Sequence, residues 1–268
     1  MDYNVRAIVL TRMQVGERDV LATYFTRERG RVQAIVRGTA KTVSSLRPGA
    51  LPMNEGDALI VERRGTDLLT EWVPVDAFPG VSQRLGSLCL AGYMLRLTAD
   101  LTPPFQPDPF LYNLLKLSLS GLQKYDFYDI MKLVFEWGFL HISGLSFDLN
   151  ACVNCGNTCR GADRVVLDIS GGGILCPQCL AGAKPPGAMS LSLDTVQLGN
   201  MINEVLSRIS GDVYVGEEPL ASFHQSLHGL HHENHKAGGK PAAQLQKAVS
   251  RFIQFHMNES APSWHVQI

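Results

Sequence analysis

VLATYFTRERGRVQAIVRG, residues 20–38, is two runs of β-branched and aromatic residues with four turn residues between them. Val20–Thr26 and Arg31–Arg37 carry the composition of paired strands. Gly30 closes the connection Arg27-Glu28-Arg29-Gly30, and glycine takes the positive φ that a tight hairpin needs. Three further runs flank this hairpin: VRAIVL (5–10), ALIVERR (58–64) and LLTEWVPV (68–75). Five strands within residues 1–80 suit a small closed barrel. The OB-fold is the usual five-stranded design that binds nucleic acid strands, and an SH3-like barrel would give a similar string. Tyr24 and Phe25 are adjacent in the second strand, so one is expected to face out, free to stack on a base, and the other to be core.

Beyond residue 81 the hydrophobic period changes. Leu85, Leu88, Gly92, Leu95 and Ala99 recur three or four apart, which predicts a helix with that stripe inward and Cys89 in the core. Asp108-Pro109 reads as an N-cap followed by proline at the first helical position. Apolar residues recur through FLYNLLKLSLSGL and FYDIMKLVFEWGFL, and three more helical stretches follow at about 191–210, 218–235 and 241–258. The expected architecture is therefore α+β and multidomain. An OB-like nucleic-acid-binding barrel spans 1–80, a helical domain spans 81–150 and 188–268, and a cysteine-rich insert occupies 151–187.

That insert pairs Cys152-x-x-Cys155 with Cys176-x-x-Cys179 across twenty residues. Two such knuckles at this spacing form a four-thiolate zinc ribbon, each turn bringing two sulfurs to one ion. RVVLDI reads as a strand and Gly171-Gly172-Gly173 as a turn, so a hairpin presents the knuckles to one another. A thioredoxin-like redox pair needs a single CxxC at a helix start. Disulfides conflict with a reducing compartment, and a nucleobase deaminase needs an upstream HxE that does not occur. One structural Zn2+ is expected, with no open position for hydrolytic water. Cys159 is expected to be a bystander.

Composition narrows the function. The 268 residues are 45% hydrophobic with a net charge of −1. No apolar run reaches the ~20 residues of a membrane span, and MDYNVRAIVL carries no secretory pattern, so the chain is expected in the cytoplasm. Net charge alone argues against a general nucleic-acid coat protein, but between residues 27 and 47 Arg27, Arg29, Arg31, Arg37, Lys41 and Arg47 face a single acid, Glu28. Such a stripe on a neutral protein marks a face that meets polyanions, or else a solvated strand face. There is no GxxxxGK[ST], no GxSxG and no paired-carboxylate constellation, so no enzyme is expected. His224, His228, His231 and His235 fall on one helical face. That face is read as polar surface in preference to a second metal site.

Taken in order, these parts resemble the bacterial DNA-repair mediator family RecO. AIVLTRMQVGERDVLATYFTRERGRVQAIVRG is similar to that family's opening, with Glu17 and Asp19 in the first turn, and SSLRPG to its loop after the third strand. FEWGFLHISGLSFDLNACVNCG followed by GGGILCPQC is similar to its run into the zinc knuckle. The resemblance covers residues 1–180 well and the last three helices loosely. It implies a non-enzymatic, nucleoid-associated mediator of DNA damage repair and recombination in the RecFOR pathway. Such a protein binds single- and double-stranded DNA, anneals complementary strands and, with RecR, helps load RecA on single strands coated by single-strand-binding protein (SSB).

On this reading Arg31, Arg37, Lys41 and Arg47, with Arg12, Arg27 and Arg29 next, would neutralise phosphates without reading sequence. Cys152, Cys155, Cys176 and Cys179 would hold the zinc that clips the insert to the helical domain. The rival readings are a protein-interaction scaffold with structural zinc and an RNA-binding zinc-ribbon protein.

Overall fold

A computed structural model describes residues 2–39, 44–144, 147–159, 164–180, 185, 187–209 and 217–256. The chain divides into two compact units, one running to Asp126 and the other from Phe127 onward.

The first unit is built on a closed barrel of β1 (Asp2–Val15), β2 (Asp19–Thr26), β3 (Gly30–Val36), β4 (Glu55–Val61) and β5 (Asp67–Asp76). Its order is β1-β2-β3-β5-β4, with β4 returning to pair with β1. Only β3 and β5 run parallel, through Ala34↔Asp67 and Ile35↔Leu68. This is the expected OB-like closure. Alternation supplies the interior: Val20, Ala22 and Tyr24 of β2 and Val32, Ala34 and Val36 of β3 all point inward and are buried. Trp72 fills the space beside Gly56, where a Cβ would meet the indole at 2.4 Å. Gly30 takes φ +68°, the turn conformation its position demands.

The outer side of β2 is buried as well, because α1 (Leu85–Leu101) and α2 (Pro109–Lys124) belong to the same unit and α1 packs on β1 and β2. Phe25 stacks against Tyr112 of α2 at 6.4 Å, while Tyr24 donates to the Gly49 carbonyl at 2.7 Å. Tyr24 and Phe25 are both 0% exposed, so neither is available to a base. The expectation that one faces solvent fails because β2 is covered on both faces.

Asp108 caps α2 as expected, accepting from the Leu111 amide at 2.9 Å with Pro109 at the first position. In α1 the helix is right, but the N-terminal half of the expected stripe faces out. Leu85 is 78% exposed and Leu88, Cys89 and Gly92 are also exposed, whereas Leu95 is buried as expected and Ala99 half-buried; the core also takes Leu90, Ala91, Met94, Leu97 and Thr98. Both stripes satisfy helical spacing. The second carries the bulkier run, and spacing alone cannot choose between two apolar faces.

The second unit opens with α3 (Tyr128–Ile142). A four-stranded sheet follows, β6 (Asp148–Cys152), β7 (Arg164–Asp168), β8 (Gly173–Leu175) and β9 (Met189–Ser192), in the order β6-β8-β7-β9. Helices α4 (Leu193–Ile209), α5 (Glu217–Lys236) and α6 (Lys240–His256) complete it. Phe147, just before β6, sits edge-on to Trp137 at 5.3 Å and to Phe252 at 4.5 Å. Trp137 in turn donates to Asn203 at 2.9 Å, so a polar bond fixes the indole among apolar neighbours. The sheet that carries the cysteines is therefore rooted in the core formed by α3, α4 and α6.

Candidate metal centre and nucleic-acid interface

The expected β7–β8 hairpin forms, and β8 also lies parallel to β6, so the residues following β6 and β8 end side by side. Cys152 closes β6 and Cys176 follows β8 directly. Each knuckle then makes the same turn: Gly156 donates to the Cys152 carbonyl at 2.8 Å, and Leu180 to the Cys176 carbonyl at 3.2 Å. A bond from the Val153 amide to the Ile174 carbonyl, 2.9 Å, ties the two together. The four sulfurs of Cys152, Cys155, Cys176 and Cys179 all lie within 4.8 Å of one another, and Cys155 and Cys176 are 3.7 Å apart. Tetrahedral thiolates at ~2.3 Å from a zinc-sized ion would sit ~3.8 Å apart. A disulfide would need ~2.05 Å. The donor set fits one tetrahedral metal ion with no position left for water.

Electrostatics in the cluster point the same way. Burial opposes ionisation of Cys152, but the backbone amides of Cys176, Cys155 and Asn154 outweigh it and hold the thiol down to about 6. At Cys179 a hydrogen bond with Asn154 favours the thiolate, yet the Cys155 and Cys176 sulfurs prevail and push it up to about 12. Four sulfurs this close share their negative charge only with a cation among them. Cys159 stays outside the group; burial first, then the charge of Cys152, Cys176 and Cys155, raises its thiol. Among the described residues no histidine belongs to a metal-holding group. His224 is buried, and His231 stacks on Phe127 at 3.8 Å with His228 edge-on at 5.1 Å, so half of that helix face packs inward.

On the barrel the basic stripe divides. β2 spans ~23 Å, at ~3.3 Å per residue, and separates two groups of arginines. At the β2–β3 turn the side chains have structural partners. Arg29 pairs with Glu62 at 3.0 Å and lies 3.9 Å over the Tyr3 ring, and Arg31 donates from Nε to the Thr102 carbonyl at 2.7 Å. Arg27 is half-buried, its amide bound to the Arg6 carbonyl. At the opposite end Arg12 and Arg37 are exposed, and Arg47, in the 3-10 turn Arg47–Ala50, is exposed too. Lys41 lies outside the described residues.

The turn between β1 and β2 adds a residue that charge counting passes over. Arg18 is exposed, and its carbonyl accepts from the Thr39 amide at 3.0 Å while Asp19 accepts from the Gly38 amide at 3.1 Å. These bonds bring Arg18 beside the segment that carries Arg37; Arg12 lies further along β1, opposite Ala22 of β2. In the sequence Arg18 is hidden between Glu17 and Asp19; only the pairing of two distant turns exposes its partners.

Residues 1–78 match the family model described as recombination protein O N terminal, and residues 82–218 match that of recombination protein O C terminal. The chain belongs to the recombination protein O family. Its relatives include three proteins named DNA repair protein RecO. One from Anaeromyxobacter sp. (strain Fw109-5) is 34% identical over 188 residues, 69% of this chain and 73% of the relative. Another from Anaeromyxobacter dehalogenans (strain 2CP-C) is 31% identical over 217 residues, 80% and 82%. The third, from Bacillus pumilus (strain SAFR-032), is 28% identical over 221 residues, 82% and 84%. RecO membership gives the chain a role in DNA repair and recombination. Among the described residues no helix is long and apolar enough to cross a membrane.

Proposed function

We propose that this RecO protein is a non-enzymatic mediator that binds single- and double-stranded DNA by its phosphates and anneals complementary strands. With RecR, it would help load RecA onto SSB-coated single strands in the cytoplasm, at the nucleoid. The observation that carries the reading is the exposed pair Arg18 and Arg37 on joined turns at one end of an OB-like barrel, with exposed Arg12 further along β1. Guanidinium groups there meet phosphates and release counterions, which gives affinity with little sequence preference. Tyr24 and Phe25 are buried, so strands at this end are held by their backbones. Bases left free can then pair, which is what annealing requires.

The metal in the cysteine cluster is proposed to be one structural Zn2+. Four thiolates suit its tetrahedral preference, and a closed shell supplies folding energy and no reactive water. Cys152, Cys155, Cys176 and Cys179 would hold it and so keep β6 and β8 in register.

Fluorescence anisotropy with a labelled 30-nucleotide strand and its duplex tests the reading. Both are expected to bind saturably at 50 mM salt and to lose affinity when Arg12, Arg18 and Arg37 are all replaced by Gln. Wild type that fails to saturate with either would return the protein to the scaffold reading.

A further inference from the structure

The barrel's second basic end carries an aromatic that no regularity in the sequence singles out. Phe105, between α1 and α2, is 63% exposed and holds φ +57°, a left-handed backbone that a bulky residue avoids. Three contacts fix it there. Its amide donates to the Arg31 carbonyl at 3.1 Å, and Arg31 Nε binds the Thr102 carbonyl at 2.7 Å. Gly30 allows a third approach so close that a Cβ would lie 2.0 Å from the Gln106 carbonyl oxygen. The backbone is thus clamped in a strained form while the ring is bare, and strain of this kind collects at functional positions.

The clamp also decides what lies beside the ring. Pro104 bridges Arg31 on the edge of β3, and β5 joins that same edge at Ala34↔Asp67, three residues or ~10 Å further on. Extended back in register, β5 would set Arg64 opposite Arg31, but the Phe105 segment already occupies that place. The β4–β5 turn must leave the edge there, and it does so at Gly65, φ +110°. Its Arg63 and Arg64 are both exposed. The β4–β5 turn and the β2–β3 surface are, with the β1–β2 turn, where OB barrels take oligonucleotides.

We propose that Phe105 is a base-stacking platform for single-stranded DNA, with Arg63 and Arg64 of the adjoining turn on the neighbouring phosphates. The proposal rests on the DNA-binding reading above and gives it a site that distinguishes single strands from duplex. A base in a single strand offers its face to the ring, whereas a paired base is already stacked on its neighbours.

The test uses the full chain and a labelled 15-nucleotide thymidine strand. Phe105→Ala is expected to weaken binding at least fivefold, the low end of base–aromatic stacking, while the dependence of affinity on salt keeps its slope. Affinity for a 15-base-pair duplex should stay within about twofold. Phe105→Gly should lose the same affinity and melt no lower than wild type, because glycine takes the left-handed backbone without strain. Phe105→Trp should retain affinity, with the added emission quenched at saturation.

Wild type that binds the strand while Phe105→Ala matches it overturns the proposal, and so does equal weakening on the duplex. Wild type that binds no strand at 50 mM salt removes the DNA-binding reading itself, and this site with it.

Discussion

Replacing Arg12, Arg18 and Arg37 together with Gln should change how affinity depends on salt, and by a calculable amount. Each side chain is exposed, so its loss costs little stability. Each phosphate neutralised on a single strand contributes ~0.7 to the slope of log affinity against log salt. Three lost contacts should therefore flatten the slope by ~2. Between 50 and 200 mM salt the advantage of wild type over the variant should shrink by roughly 20-fold, following that slope change. Anisotropy titrations at four or five salt concentrations give the number directly. Parallel lines for wild type and variant would refute the assignment, since they would mean that these arginines touch no phosphate.

Other consequences concern the metal and the barrel. Cys176→Ser should lose the metal and with it the stabilisation of a bound ion, ~2.7 kcal/mol at a hundredfold excess over Kd. The melting midpoint should fall by roughly 5–10 °C, and an unchanged midpoint would count against a structural role. Cys159→Ser should keep one metal per chain, measured by elemental analysis, because its sulfur stands outside the cluster. Metal uptake should weaken as pH falls. Cys152 gains its proton on descent through about 6, and Cys179, held up to about 12, must release one on binding at any lower pH. Zinc competition titrations at pH 7.5 and 5.5 check the sign, and equal or tighter binding at pH 5.5 would contradict it. In the barrel, Glu55 is fully buried and accepts from Tyr112 and Lys116, each at 2.9 Å. Lys116→Met should cost ~3 kcal/mol in urea unfolding, with much of it regained when Glu55→Gln is added.

The parts of this molecule that the sequence made legible are those set by short-range chemistry. The β2–β3 hairpin, the Asp108 cap and each CxxC knuckle follow from residues a few positions apart, and each is present. What stayed hidden depends on which surface another element covers. Alternation predicts that either Tyr24 or Phe25 faces out, but α2 places Tyr112 over Phe25 and removes the outer face. The α1 spacing fits two apolar faces, and packing buries Leu95 of the periodic stripe but turns its Leu85, Leu88 and Gly92 outward. Along the basic stretch, charge counting treats Arg29 and Arg37 alike. The fold gives Arg29 to Glu62 and leaves Arg37 at the opposite end beside Arg18, an arginine that neighbouring acids concealed.

Annealing of two complementary SSB-coated strands, followed without ATP for wild type and for the Arg12→Gln/Arg18→Gln/Arg37→Gln variant, tests the mediator claim most directly. The account predicts fast annealing by wild type, suppressed by salt and lost in the variant. Wild type that leaves SSB-coated strands apart, or a variant that anneals them as quickly, would contradict it.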